Sequence, residues 1–118
     1  MADLPKLLRW RGSSKADFMA FPINVQKEMG YALYLAQMGE RHAASAKTLS
    51  GFHGSAVVEV RQNDPTGTFR AVYTVRFRDA VYVLHAFQKK SKRGISTPKT
   101  EMDIVAKRLG ELVAEKAS

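Results

Sequence analysis

The chain has no cysteine, which excludes disulfide staples, thiolate metal sites and a cysteine nucleophile, and leaves packing to supply its stability. Long hydrophobic runs are missing too. Unbroken apolar stretches reach only a few residues, against the roughly 20 needed to span a bilayer, and the segment from Met1 to Arg11 has no signal-peptide core. A cytoplasmic protein without a membrane partner is the expectation. Internal repeats and a dividing linker are also absent, so a single domain over residues 1–118 is expected. No phosphate-binding or dinucleotide glycine pattern occurs, and His42, His53 and His85 lack compact metal-ligand spacing; neither metal nor nucleotide cofactor is expected.

Acidic residues are the other scarcity. Nineteen Lys and Arg face 11 Asp and Glu, a net charge of +8 that draws polyanions to the surface. The excess is concentrated. From Arg61 to Lys99 nine basic residues (Arg61, Arg70, Arg76, Arg78, Lys89, Lys90, Lys92, Arg93 and Lys99) stand against Asp64 and Asp79, which leaves +7 in about a third of the chain. Such a stretch is either a solvated surface or a nucleic-acid site.

Periodicity divides the chain into alternating helix and strand signals. KLLRWR, ending before Gly12-Ser13-Ser14, reads as a strand followed by a turn and a short helix. In PINVQKEMGYALYLAQMGE, Pro22 can occupy the first helical turn; Val25, Met29, Ala32, Leu33 and Ala36 share one face, and Gly39 ends the helix. Tyr31, Tyr34, Leu35 and Met38 widen its apolar surface, which core packing against the first helix as well as the sheet is expected to cover, a partner being the alternative, and Gly30 suggests a close helix–helix approach. RHAASAKTLSGFHGS reads as a loop. AVVEVRQ, TFRAVYTVR and AVYVLHAF then form an antiparallel meander, and a basic loop leads to Thr97-Pro98, read as a cap and first helical position. Met102, Val105, Leu109 and Leu112 stripe the last helix. The fold class expected is α+β.

Alternation sets Glu59 and Arg61 opposite Val58 and Val60, and Arg70, Thr74 and Arg76 opposite Phe69, Ala71, Tyr73 and Val75. His85 shares a side with Val83 and Phe87. Metal-free RNA cleavage needs a base for the 2′-hydroxyl, cations for the phosphorane and an acid for the leaving 5′-oxygen. Glu59, Arg61, Arg70, His85, Lys89 and Lys90 supply all three roles, and Arg76, Lys92 and Arg93 add phosphate-binding charge. A cross-strand ion pair between Glu59 and Arg61 or Arg70 is the alternative use of those side chains.

Four segments, PINVQKEMGYALYLAQMGE, KTLSGFHGSAVVEVR, FRAVYTVRF and VYVLHAFQKKSKRGISTPKTEMDIVAKRL, resemble the RelE/ParE toxin superfamily, most closely its phage-derived HigB-like branch. The resemblance implies a small antiparallel sheet with two N-terminal helices on one face, RNA meeting the other, and a C-terminal helix. It implies a toxin of a type II toxin–antitoxin system: a metal-independent endoribonuclease that cuts messenger RNA on the ribosome and is neutralised by a helix-turn-helix antitoxin. Arg70 matches the superfamily's phosphate-contacting arginine, Lys89-Lys90 its basic pair after the last strand and Arg61 a basic position of the second strand. Ile95 and Ser96 stand where the superfamily carries a catalytic tyrosine, which passes the base role to Glu59 or His85. Arg70→Ala is then expected to abolish activity and spare the fold. The rival reading is a non-enzymatic binder, such as a ParE-like gyrase inhibitor or an inactive phage-derived antitoxin-binding protein. Codon preference and oligomeric state have no signature in these residues.

Overall fold

The computed structural model describes residues 4–89 and 97–118; Lys90, Lys92, Arg93, Ile95 and Ser96 lie outside the described residues. The elements run β1 (Leu7–Trp10), α1 (Ser14–Met19), α2 (Ile23–Gln37), β2 (Ala46–Thr48), β3 (Val57–Asp64), β4 (Gly67–Thr74), β5 (Ala80–Lys89) and α3 (Lys99–Ala117). No helix among the described residues is long and apolar enough to cross a membrane.

The five strands form one sheet in the order β1-β5-β4-β3-β2. The β3-β4-β5 meander is antiparallel as expected, but the sheet is mixed, because β1 lies parallel to β5 with Leu7 opposite Ala80 and Trp10 opposite Val83. A strand that reaches its neighbour only after two helices have crossed the sheet can arrive in the same direction, and no local sequence signal marks this. β2 falls within the stretch read as a loop. It pairs with Val58 to Val60 of β3, and its three residues are too few for alternation to register.

The two sheet faces pack against different helices. Val58 and Val60 of β3, Phe69, Ala71 and Tyr73 of β4, and Val81, Val83 and Ala86 of β5 meet Phe18, Phe21, Val25, Met29 and Leu33 of the helical pair. The opposite face, expected to be polar and open, is apolar over half its extent. There Val57, Val72, Ala80, Tyr82, Leu84 and Phe87 pack beneath Val105, Leu109 and Leu112 of α3. β4 and β5 are therefore buried on both sides. A bulge in β5 also revises the alternation: Val72 opposes His85 and Tyr73 opposes Val83, leaving Leu84 as the extra residue. Val83 thus joins the helical-pair core, while Phe87 joins the α3 core beside His85, so Val83 and His85 do not share a side.

Turn chemistry positions the helices. Gly12 has φ +54, and a Cβ there would lie 2.5 Å from Nε of Arg108, whose Nη1 donates to the Leu84 carbonyl at 2.9 Å and whose Nη2 donates to Ser13 Oγ at 3.1 Å. Only glycine satisfies both the backbone and this close approach. Pro22 and Pro98 each sit one residue before their helix with extended ψ of 147, as caps and not as first helical residues. Thr97 is consequently released from capping, and its hydroxyl turns to a different partner. At its other end α3 is held by Lys116, which donates to Asp79 Oδ2 at 2.6 Å, and by an ion pair between Arg11 and Glu115.

The close helix approach suggested by Gly30 is not made among the described residues: a Cβ there would meet nothing within 4 Å. Gly30→Ala should therefore raise stability by about 1 kcal/mol through helix propensity alone, measured as a shift in urea midpoint. A decrease would mean that something crowds this position. A second expectation comes from Asp79, whose carboxyl is lowered to about 2 by its hydrogen bonds from Lys116 and Tyr82. A depressed acid stabilises the fold above its unfolded pKa and loses that contribution as pH falls through the folded one. The melting-temperature gap between the parent and Asp79→Asn should be constant from pH 5 to 7, narrow below pH 4 and close near pH 2.

Candidate functional site

Beyond the apolar patch, the α3 side of the sheet carries charge. Arg61 and Arg70 are directly opposite across β3 and β4, and Glu59 is opposite Val72. Two arginines in register repel, and Arg70 resolves this by reaching diagonally to Glu59. Its Nη1 donates to Glu59 Oε1 at 3.0 Å, with each residue only 1% exposed. The Thr97 hydroxyl donates to the other carboxylate oxygen at 2.5 Å and lies 3.3 Å from Arg70 Nη1. Both oxygens of Glu59 are thus engaged, and the segment leading into α3 is tied to the sheet.

Further cations surround this pair. Lys47, opposite Glu59 on β2, holds its Nζ 4.0 Å from Oε1 and is half exposed, and Arg61 projects to solvent. The buried Lys89 at the end of β5 has its pKa held below the usual lysine value, first by desolvation and then by repulsion from Arg70, Arg61 and Lys47, with Glu59 opposing. Among the described residues, four cations therefore gather about one carboxylate. A hollow of about 190 Å³ opens between Ser45, Lys47, Glu59 and Arg61.

His85 lies apart from this cluster. It is in one row with Glu59, but Val72 of β4 intervenes, a separation of two strand spacings or about 9–10 Å. Its ring stacks on Phe87 at 5.0 Å and 23°, Nε2 lies 3.0 Å from Glu101 Oε2, and Nδ1 lies 3.4 Å from Arg108 Nη1. His85 and Glu101 open on a cleft of about 320 Å³ bounded by Phe21, Phe69 and Asp17. Arg76 is also remote: β4 ends at Thr74, so Arg76 lies past the strand on which the sequence placed it, six residues from Arg70, and its Nη1 donates to Ser55 Oγ at 3.0 Å.

Of the residues singled out from the sequence, Glu59, Arg61, Arg70 and Lys89 come together; His85 and Arg76 do not join them, and Lys90, Lys92 and Arg93 lie outside the described residues. Sequence reasoning missed Lys47 and Glu101. Lys47 becomes significant only through the β2 register, and Glu101 through the approach of α3 to β5. Thr97 was assigned to capping. Among the described residues no group of three or more His, Cys, Asp or Glu side chains is arranged to hold a metal ion.

The profile of the phage-derived Gp49-like proteins matches residues 16–110. Among solved structures, a doubly arginine-substituted mutant of the E. coli toxin RelE in the free state superposes with a TM-score of 0.61 at 12% identity, covering 92% of this chain and 98% of its own. The toxin–antitoxin complex RelBE2 from Mycobacterium tuberculosis gives a TM-score of 0.49 at 14% identity, covering 76% and 98% respectively. The likeness to E. coli RelE is one of fold. No curated protein matches the sequence.

The burial of Arg70 revises the expectation that it can be removed without harm to the fold. Deleting one partner of a buried pair strands the other, at a cost of about 3–5 kcal/mol. Arg70→Met and Glu59→Leu should each lower the unfolding free energy substantially, whereas the two combined should recover much of the Arg70→Met loss. Urea unfolding of the three variants measures this, and two additive losses would show that the side chains do not interact.

Proposed function

The chain belongs to the phage-derived Gp49-like family, and on that premise we propose that it is the toxin of a type II toxin–antitoxin pair, an endoribonuclease that cuts messenger RNA on the ribosome. The observation that carries this reading is the gathering of Lys47, Arg61, Arg70 and Lys89 around the single carboxylate of Glu59 on one sheet face. Such an excess of positive charge attracts a phosphodiester. The RelE-like fold supports the same reading.

Within it, Lys47 and Arg61, the exposed members, hold the RNA backbone. Arg70 stabilises the charge that develops on the phosphorane. Lys89, held below its usual pKa, hands a proton to the leaving 5′-oxygen. Glu59 is the base when Thr97 leaves its carboxylate, and the cut ends in a 2′,3′-cyclic phosphate or 3′-phosphate. The partners are the ribosome with its messenger RNA and a helix-turn-helix antitoxin encoded beside the toxin.

One observation favours the second reading, a non-enzymatic binder such as a gyrase inhibitor. Glu59 and His85, the two candidate bases, are both buried and both hydrogen-bonded to other side chains. Primer extension on messenger RNA after brief induction separates the readings: cuts within translated messages are expected, and gyrase-linked DNA breaks without RNA cuts would overturn the ribonuclease. The double variant Lys47→Ala, Arg61→Ala should also flatten the dependence of log affinity for single-stranded RNA on log salt by about 1.4, from roughly 0.7 per lost phosphate contact. An unchanged slope would remove both residues from the RNA face.

A further inference from the structure

The positive charge around Glu59 draws any phosphodiester and is blind to the sugar that carries it, because Lys47, Arg61, Arg70 and Lys89 all answer to phosphate. What separates ribose from deoxyribose is one hydroxyl, able both to donate and to accept. The protein's own chain already sets a hydroxyl at this carboxylate. Thr97 Oγ1 donates to Glu59 Oε2 at 2.5 Å and accepts from Arg70 Nη1 at 3.3 Å. Those are the contacts that cleavage asks of a 2′-hydroxyl, its proton on the base and its oxygen beside the cation that steadies the adjacent phosphate. Capping does not account for the side chain, since Pro98 is the cap of α3 and no side-chain bond closes that end of the helix. Space makes two hydroxyls here alternatives. Glu59 is only 1% exposed, Oε1 faces Arg70 and Lys47, and Thr97 is the one partner of Oε2 among the described residues. A carboxylate oxygen in water accepts two hydrogen bonds, but at so buried a group a second hydroxyl needs the room that Thr97 Oγ1 fills.

We propose that Thr97 holds the place of the substrate's 2′-hydroxyl and is exchanged for it, an inference that rests on the ribonuclease reading above. The hollow between Lys47, Glu59 and Arg61 opens on the same carboxylate and receives the sugar whose phosphate the two cations hold. Its 2′-hydroxyl takes over both contacts as the half-buried Thr97 side chain rotates away. A deoxyribose has no hydroxyl to offer and leaves Thr97 in position. Thr97 is thus a positioning residue that acts through Glu59. In the parent one hydroxyl replaces another, so the exchange is nearly even and ribose and deoxyribose ligands differ little in affinity. Without the Thr97 hydroxyl the ribose has no competitor, and its hydrogen bond to an ionised group adds to binding.

The test uses the full chain at low salt and two trinucleotides of deoxyribose ending in a 3′-phosphate, identical except that the last sugar of one carries a 2′-hydroxyl. Neither can be cut at that end. Affinity is read by calorimetry, and the Thr97 χ1 rotamer in the parent by its side-chain couplings in nuclear magnetic resonance, a measurement that needs no variant. The rotamer should change with the hydroxyl-bearing probe alone. Thr97→Ala should tighten that probe by roughly tenfold or more and leave the other unchanged, and Thr97→Ser should return both to parental affinity; urea unfolding confirms that each variant is folded. If Thr97→Ala weakens both probes alike, Thr97 is a strut between the sheet and the segment before α3. A rotamer that answers to both probes, or to neither, would show that the 2′-hydroxyl does not take its place. Either result overturns the inference, and messenger-RNA cuts on induction would leave the ribonuclease reading standing. Failure of the parent to bind either probe overturns it as well, and absence of cuts on induction would then remove the ribonuclease reading too.

Discussion

A carboxylate and a guanidinium withdrawn from water have to answer each other, and the pairing of Glu59 with Arg70 organises the charged half of this structure. It follows from register. With Arg61 directly opposite Arg70, a one-residue slip between β3 and β4 would carry Glu59 to the helical-pair face, among Phe69, Ala71 and Tyr73. The pair therefore discriminates among registers more than it adds stability. Thr97 extends the constraint by binding the free oxygen of Glu59, which fixes where α3 begins. Lys47 extends it in the other direction, because the β2 register brings the lysine to the same carboxylate.

Local patterns in the sequence were enough to recover the meander, the buried face of α2, the stripe on α3, and the placement of Glu59, Arg61 and Arg70 on one side. These features depend on periodicity within a single segment. The parallel partner of β1 does not, since KLLRWR carries no information about which strand it joins. AVYVLHAF is apolar on both sides of His85, so no alternation in it marks the extra residue at Leu84, and His85 was assigned to the side of Val83 for that reason. Lys47, Glu101 and Arg108 acquire their roles only through space. Gly30 was the informative exception: its cost in a helix was visible in the sequence, and no close contact among the described residues compensates it.

α3 divides its sheet face in two. Val105, Leu109 and Leu112 cover the apolar patch, while Thr97 and Glu101 at its start meet the polar side chains. The helix is anchored along its length by Arg108 on Leu84, by the Arg11–Glu115 pair and by Lys116 on Asp79. The contact with Glu59 is made by Thr97, two residues before the helix, and the contacts with the apolar bed by residues well inside it.

The ion pairs elsewhere among the described residues are balanced. Lys116 meets Asp79, Lys99 meets Asp103 and Arg11 meets Glu115, each one cation to one anion. Around Glu59 four cations meet one carboxylate among the described residues, and the pKa of Lys89 is lowered there by desolvation first and then by Arg70, Arg61 and Lys47, with Glu59 opposing. A network that served only the fold would reduce this repulsion by recruiting another acid, or by leaving Lys89 in solvent. Retaining the excess makes sense where a polyanion completes the balance. The crowding of positive charge at the end of β5, more than the net charge of the whole chain, is therefore the feature on which the proposed contact with phosphate rests.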